Sequence, residues 1–312
     1  MNRLTLLLAF FIGFSNLADA QRYKTPALYY REFSGQMRKI NKKNLLYLKA
    51  SLKNEDARKV AKYREMVVTQ LKDSKKVIDR LPNYKDYDIL RKEYMSGLSQ
   101  FIDAYENDFN VAQELVADRY NSYEDLKIYY DAVMKAEDQL LNASYRMEEA
   151  DNHFAKMHQM NLVKDAEMEE EYRMLDEVTL YSRDMTLSFF RVEQHIKDFL
   201  LATNGNQDSL SSILEFMQKD LTLSLAEVAN YADFDGQDNL YKQVLSFLEE
   251  TQEALDDVLT PLAEELSNSF LEEKEFKKAQ KELSSFISDN NKHIEDFYAE
   301  KDKLILEYLP ED

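Results

Sequence analysis

Residues 210–228 read LSSILEFMQKDLTLSLAEV, and their apolar side chains are spaced as on one side of an α-helix. Successive apolar positions in this segment are three or four residues apart, which matches the helical period of about 3.6 residues. Residues 240–266 show similar spacing, so both segments predict amphipathic helices that bury one face. The apolar positions are Leu210, Leu214, Met217, Leu221, Leu225 and Val228, then Leu240, Val244, Leu248, Leu255, Val258, Leu262 and Leu266.

The composition of the 312-residue chain favours helix throughout. Only five residues are Gly and four are Pro, while 32% are charged. Turn-rich sandwiches, barrels and nucleotide folds with glycine loops need more chain-breaking residues than this. We therefore expect an all-α fold of about eight long helices, arranged as tandem duplicated antiparallel four-helix bundles.

The first half of the chain also resembles the second half in sequence. Residues 28–56 match residues 180–208 at seven identical positions, and residues 88–104 match residues 238–254 at six more. Because the matches keep their order and nearly their offset, they predict an ancestral four-helix unit that was duplicated. The alternative is that similarly patterned helices align through composition alone.

This repeat predicts a first helical bundle at residues 21–163 and a second at residues 164–312. The acidic join from Asn161 to Met174 contains neither Pro nor Gly. We expect a continuous helix or a short bend there, rather than a flexible linker. Capping-box patterns at Ser122–Asp125 and Ser269–Glu272 predict the start of the last helix of each bundle.

Residues 1–20 have the organisation of a signal peptide. Arg3 precedes an uncharged run from Leu4 to Phe14, and small residues stand before Gln21. The run reaches only about 16 Å as a helix, about half of a bilayer core of ~30 Å. We expect cleavage before Gln21 and export to a bacterial periplasm or cell surface, with an uncleaved interfacial anchor as the alternative.

The charge balance indicates which partners to expect. Asp and Glu number 59 against 40 Lys and Arg, which gives a net charge of −19, and there is no Cys. An acidic surface repels phosphate backbones, so we expect no nucleic-acid partner. We also expect no transmembrane segment, and the partner would be an unidentified envelope protein or polymer. The absence of Cys favours a bacterial location over a disulfide-rich eukaryotic one, and the oligomeric state stays open.

Residues 151–158, Asp-Asn-His-Phe-Ala-Lys-Met-His, close the first predicted bundle. Together with the Tyr29-Tyr30 start, they resemble a family of poorly characterised exported bacterial helical surface proteins. The resemblance covers residues 27–163. It implies an exported helical domain and brings no assigned activity.

The sequence lacks the motifs of several enzyme classes. It has no Cys nucleophile and no Gly-x-Ser-x-Gly elbow, and no Glu stands three residues before a His. His153 and His158 are five residues apart, whereas zinc-protease helices need a spacing of four. We therefore predict a non-enzymatic protein without catalytic or cofactor-binding residues. A hydrolase acting in a cleft between the bundles is a third hypothesis.

Methionine and histidine concentrate between Met147 and Met174, which hold five of the twelve Met and two of the four His. On a helix, His153, Met157 and Met160 would share one face. Thioether and imidazole ligands suit Cu(I), so soft-metal binding by these three residues is the alternative function. We prefer core packing of the two methionines, and so predict no metal site.

Two other patterns have simple structural interpretations. His195 and His293 each precede an aspartate by three residues, and we expect solvent-exposed pairs with Asp198 and Asp296 on the same helix face. The loop at residues 233–238 carries several acids, as calcium loops do, but lacks the bidentate Glu at its twelfth position. A helix start explains these acids more simply.

Overall fold

The computed structural model describes residues 23–53, 55–85, 87–162, 166–205, 207–266 and 273–310. These ranges are helical almost throughout, and within them β-structure is limited to two isolated bridges. The predicted all-α fold class is confirmed. The predicted signal peptide and the Ser269–Glu272 capping box lie outside the described residues.

Helices α1 to α10 make up the fold. Their bounds are α1 Pro26–Leu52, α2 Ala57–Asp79, α3 Ile89–Asp103, α4 Phe109–Leu115, α5 Tyr123–Met157, α6 Ala166–Thr203, α7 Leu210–Val228, α8 Asn239–Ala254, α9 Thr260–Leu266 and α10 Glu273–Glu307. The π-helical segments Ala104–Asp108 and Leu255–Leu259 join α3 to α4 and α8 to α9, which leaves eight long helices in the described part of the chain. Across the same ranges, none of these helices has the length and apolar character that crossing a bilayer requires.

Side-chain caps fix the starts of two of these helices. Thr25 Oγ1 accepts a hydrogen bond from the amide of Leu28 at 3.3 Å, where α1 begins. Ser122 Oγ accepts from the amide of Asp125 at 3.1 Å and donates to its carboxylate at 2.6 Å. The serine thereby satisfies an amide that has no partner within the first turn, so the predicted start of α5 is confirmed.

The described residues divide into two compact units. The first comprises those within Met1–Asp118, Ile128–Glu177 and Leu306–Asp312, and the second those within Arg119–Lys127 and Val178–Ile305. The predicted boundary between residues 163 and 164 lies outside the described residues, so the domain limits stay a prediction.

Each unit has an aromatic core. In the first unit, Phe33 and Tyr94 are fully buried with ring centroids 4.9 Å apart, edge to face. In the second, Phe189 lies 4.2 Å from both Phe247 and Phe297 and is stacked on Phe297 at an interplanar angle of 5°. Paired aromatic rings contribute about 0.5–1.5 kcal/mol beyond their burial, so these contacts help to hold helices together within each unit.

Local features recur along the chain at nearly constant offset. The bridge between Tyr84 and Tyr87 is followed 150 residues later by one between Phe234 and Gln237. Within these turns Lys85 has φ 47° and Asp235 has φ 52°, in the left-handed region. The two π-helical segments begin 151 residues apart. These positions agree with the predicted repeat, while the duplication itself stays a prediction.

Regular α-helix is interrupted just before Pro261 by the π-helical segment Leu255–Leu259. Pro261 has no amide hydrogen and cannot complete the α-helical bond to Asp257, which lies in the π-helical segment. The corresponding residue after the first π-helical segment is Asn110, which does have an amide hydrogen. A following proline therefore cannot explain both π-helical segments.

Of the two structures predicted for the join, a continuous helix or a short bend, the continuous helix is wrong. α5 ends at Met157, and residues 158–162 are not helical. Gln159 has φ 52°, and the amide of Met160 donates to the carbonyl of Ala155 at 2.8 Å. A left-handed residue with this backbone bond is typical of a helix C-terminus. Residues 163–165 lie outside the described residues, so the short bend stays a prediction.

Candidate binding groove

A groove of about 410 Å³ lies within the second unit, lined by α8, its π-helical continuation and α10. We call it the acidic groove, because five carboxylates and no Lys or Arg line it among the described residues. These carboxylates belong to Glu250, Glu253, Asp257, Glu282 and Asp289. The other side chains that line it are polar, aromatic or small, namely Thr251, Ser285, Asn290, His293, Phe247, Phe286, Ala254 and Val258.

Helical spacing brings these side chains to the groove. On each helix the lining positions recur every three or four residues, which keeps them on one face. On one side they run from Phe247 to Val258, and on the other from Glu282 to His293. Each face carries both acids and apolar residues, so the groove combines negative charge with apolar surface along its length.

A stack of phenylalanine rings supports the floor of the acidic groove. Phe247 is 1% exposed and packs on Phe189, which in turn stacks on Phe297 of α10. Thr251 is 2% exposed, and its hydroxyl donates to the carbonyl of Phe247 at 2.7 Å. Because these contacts link α6, α8 and α10, the floor is held in place before any ligand arrives.

Glu250 and His293 connect the two sides of the acidic groove. His293 Nε2 lies 2.9 Å from Glu250 Oε2, and the Ser246 hydroxyl donates to Glu250 Oε1 at 2.6 Å. The hydrogen bond from Ser246 lowers the pKa of Glu250 below 4.5, against a smaller opposing effect of burial, and His293 adds to the lowering. Glu250 is therefore ionised at neutral pH.

Three carboxylates of the acidic groove have no cationic partner among the described residues: Glu253, Asp257 and Asp289. Glu282 has a distant one, because Lys278 Nζ lies 3.5 Å from its carboxylate and is itself 76% exposed. Exposed pairs of this kind contribute little, about 0–1 kcal/mol. Among the described residues, close ion pairs therefore neutralise little of the charge of the groove, although Lys292 and His293 act on Glu250.

Asn290 is a deeply buried polar side chain of the acidic groove, and its hydrogen bonding is incomplete among the described residues. It is 6% exposed, and its Oδ1 atom has no hydrogen-bond partner in the part of the chain that the structure describes. Leaving a buried acceptor unpaired costs about 1–3 kcal/mol. Asn290 lines the groove, so a side-chain rotation that turned Oδ1 toward a bound hydrogen-bond donor would satisfy this atom.

These features suit an organic cation better than a metal ion. No group of three or more His, Asp or Glu side chains within the described ranges is arranged to hold a metal. The carboxylates are instead distributed along a groove with an aromatic floor. Such a surface can accept hydrogen bonds from a positively charged group and cover its apolar portion.

The three residues considered for soft-metal binding do not share a helix face. His153 is exposed, and its Nδ1 lies 2.5 Å from the hydroxyl of Tyr87. Met157 is the last residue of α5 and is 59% exposed, while Met160 lies beyond the helix. The preferred core-packing interpretation is therefore wrong for Met157. Copper binding by these residues stays a prediction.

His158 occupies an aromatic cluster that the sequence did not reveal. Its ring centroid lies 4.5 Å from that of Phe154 and 5.0 Å from that of Tyr84. Its Nε2 has no hydrogen-bond partner among the described residues. Burial, and then the charge of Lys85, lowers the pKa of His158 below 6.5. The neutral form of His158 is thus favoured more than that of a free histidine.

The predicted pairing of the other two histidines is wrong. His195 Nε2 lies 2.8 Å from Asp220 of α7, and Asp198 accepts instead from Gln194. His293 bonds to Glu250 of α8 rather than to Asp296. The two imidazole side chains are only 19% and 17% exposed, because each lies against a neighbouring helix. Spacing along one helix could not identify these partners.

The acidic loop at residues 233–238 forms a turn that leads into α8. Asp233 Oδ1 accepts from the amide of Gly236 at 2.8 Å, and Gly236 has φ 81°. Asp238 lies at the helix start and pairs with Lys242 at 2.6 Å. It makes no side-chain cap. The preference for a helix start over a calcium loop agrees with this turn.

Similarity to known proteins adds nothing to the geometry of the acidic groove. The resemblance of residues 27–163 to exported helical surface proteins stays a prediction, as does hydrolysis between the two bundles. No family model, no curated protein and no solved structure matches this chain.

Proposed function

We propose that this chain is an exported, non-enzymatic protein of two repeated helical bundles that binds or scaffolds another component of a bacterial cell envelope. The observation that carries binding is the acidic groove, in which three carboxylates lack a cationic partner and Asn290 Oδ1 lacks a hydrogen-bond partner among the described residues. The signal-peptide pattern of residues 1–20 supports export to the periplasm or the cell surface.

The contents of the acidic groove support binding rather than catalysis. Among the described residues the groove has one imidazole, that of His293, which is bonded to Glu250, and two hydroxyls, of which that of Thr251 donates to a backbone carbonyl. General-base and nucleophilic roles need such groups to face a reacting atom. The carboxylates and the aromatic floor need only a ligand of complementary charge.

The charge of the groove indicates the kind of component. A partner that carries ammonium or guanidinium groups would gain charge-assisted hydrogen bonds from the carboxylates. The net charge of −19 would also favour its approach over that of an anionic polymer. We therefore expect a cationic envelope component and no nucleic acid.

Cross-linking in intact bacteria that express the full chain tests this function. We compare the native protein with a groove variant, Asp257→Asn with Asp289→Asn, and with a matched control, Glu215→Gln with Glu249→Gln. The control removes two exposed carboxylates that do not line the groove. Specific partners should be recovered with the native protein and the control and lost with the groove variant. Equal recovery from all three, or no specific partner at all, would contradict the proposal.

A further inference from the structure

We infer that the acidic groove binds a linear aliphatic amine that carries two or more ammonium groups. This inference rests on the proposed binding function and specifies its ligand. Both a free polyamine and paired lysine side chains of an envelope component present this chemistry, and the experiment below separates the two sources.

The length of the groove accounts for the number of ammonium groups. Glu250 and Asp257 are seven residues apart on one side, and Glu282 and Asp289 are seven apart on the other. At about 1.5 Å per helical residue, each pair extends over about 10 Å. A single compact cation can meet only one end of such a row. A chain with separated ammonium groups can pair with carboxylates at both ends.

Asn290 provides the point of hydrogen bonding within this row. Its Oδ1 is buried and lacks a partner among the described residues, whereas the neighbouring Asp289 is exposed. An ammonium group has several N–H donors and no acceptor, so it can bond to Oδ1 and a carboxylate together. The unpaired buried oxygen therefore favours an amine over a ligand that only accepts hydrogen bonds.

The apolar side chains of the groove account for the aliphatic part of the ligand. Phe286 and Val258 are partly buried and line the groove from opposite sides. Methylene groups between the ammonium groups can pack on them, and the Phe286 ring can also attract a cation. A small hydrated metal ion would use neither feature, and the described residues offer no cluster of metal ligands.

Calorimetric titration of the full chain with spermidine at low salt tests the inference. We expect one site per chain and at least about tenfold weaker binding for Asn290→Leu and for Asp257→Asn with Asp289→Asn. The Glu215→Gln with Glu249→Gln control should change the affinity by less than about twofold. Circular dichroism of each variant confirms that the helices remain folded.

Further titrations identify the ligand chemistry and its source. Octane-1,8-diamine should bind more tightly than octylamine, because only the diamine reaches both ends of the carboxylate row. A peptide with two lysines is then compared with octane-1,8-diamine for the concentration that displaces bound spermidine. A lower concentration for the peptide would indicate lysine side chains as the source, and a lower concentration for the diamine would indicate a free polyamine. Equal binding of spermidine to native, groove-variant and control proteins would overturn the inference and indicate only general attraction to an acidic surface.

The outcome for the ligand is separable from that for the function. If spermidine, the diamine and the peptide all fail to bind, the inference is wrong. The proposed function still stands in that case if cross-linked partners depend on Asp257 and Asp289. If the recovery of cross-linked partners also does not depend on Asp257 and Asp289, both the inference and the proposed function are wrong.

Discussion

His293 of α10 and Glu250 of α8 are joined by a hydrogen bond of 2.9 Å between Nε2 and Oε2. The His293 ring also contacts Phe247 edge to face, with centroids 6.0 Å apart. Both contacts connect the two sides of the acidic groove across more than forty residues of sequence. These two contacts fix the distance between α8 and α10, the helices whose side chains would bind a ligand in the acidic groove.

Replacing Glu250 should reduce the sensitivity of stability to acid. The pKa of Glu250 is lower in the folded protein than its ordinary value of 4.5. The ionised Glu250 side chain therefore stabilises the folded protein above pH 4.5, and this stabilisation is lost as the pH falls through the folded-state pKa. Urea unfolding of Glu250→Gln should show a smaller loss of unfolding free energy between about pH 5 and pH 3 than the native protein. The exposed neighbour provides the control, Glu249→Gln, and an identical pH dependence of the two variants would contradict this account.

His158 should make the protein less stable in mild acid. Its folded-state pKa lies below the ordinary 6.5, chiefly because of burial. The unfolded chain therefore binds a proton more readily, and stability present above pH 6.5 is lost as the pH falls through the folded-state pKa. Replacing the ring in His158→Phe should flatten the pH dependence of urea unfolding in this range. If His158→Phe keeps the pH dependence of the native protein, another group causes the loss of stability in mild acid.

Gly97 should resist enlargement because α3 approaches Met147 of α5 closely. A Cβ atom at Gly97 would lie 2.7 Å from Met147 Sδ and 2.8 Å from its Cγ. Overpacking costs about 1–3 kcal/mol, against about 1 kcal/mol gained by alanine in a helix, so Gly97→Ala should lower the free energy of unfolding by up to about 2 kcal/mol. In α1, Gly35 has open space around it. Gly35→Ala should raise stability by up to about 1 kcal/mol in the same urea assay, and equal effects at both sites would contradict the packing argument.

Arg191 should depend on Glu227 for its burial in the second unit. Its Nη1 donates to Glu227 at 2.8 Å and its Nη2 to the hydroxyl of Tyr123 at 2.8 Å. Arg191 is 8% exposed, so Glu227→Gln leaves a buried charge without its counterion. Because the Glu227 side chain is 41% exposed, water screens part of the pair, and we expect a loss of about 1–2 kcal/mol in unfolding free energy.

An exposed ion pair provides the comparison for Arg191. Lys76 and Asp73 pair at 3.1 Å with exposures of 67% and 60%. Removing this pair with Lys76→Ala should change the unfolding free energy by less than about 0.5 kcal/mol. If Glu227→Gln has an equally small effect, the Arg191 contacts contribute no more than a surface pair.

Export predicts a defined N-terminus. Mass spectrometry of the protein recovered from the periplasmic or surface fraction of expressing bacteria should find a chain that begins at Gln21. Replacing the residue before the cleavage point, in Ala20→Leu, should leave the precursor uncleaved. An intact N-terminus on the native chain, or accumulation only in the cytoplasm, would show that residues 1–20 are not a cleaved signal peptide.

Helical periodicity predicted the core of the second unit well. Leu210, Met217, Leu221 and Val228 are all fully buried, and Leu214 is 8% exposed. Their positions follow from the period of the helix, which depends only on local backbone geometry. The same geometry places α7 and α8 correctly in the chain without knowledge of their partners.

Contacts between helices distant in sequence could not be predicted in this way. The acidic groove combines residues of α8 and α10, and in a chain with 59 acidic residues their adjacency carries no signal. That Asn290 Oδ1 lacks a hydrogen-bond partner among the described residues is visible only once its surroundings are known. The core-packing interpretation of Met157 failed because its side chain lies on an exposed face of α5, as does that of His153 one turn earlier.

The π-helical segments Ala104–Asp108 and Leu255–Leu259 bear on how the chain tolerates changes in its length. A π-turn spans one residue more than an α-turn, so it stores a single-residue insertion inside an otherwise regular rod. Shortening either segment by one residue should let it rewind as ordinary α-helix and keep both flanking faces in register. The same deletion one or two turns away would rotate every later side chain by about 100° and expose the core.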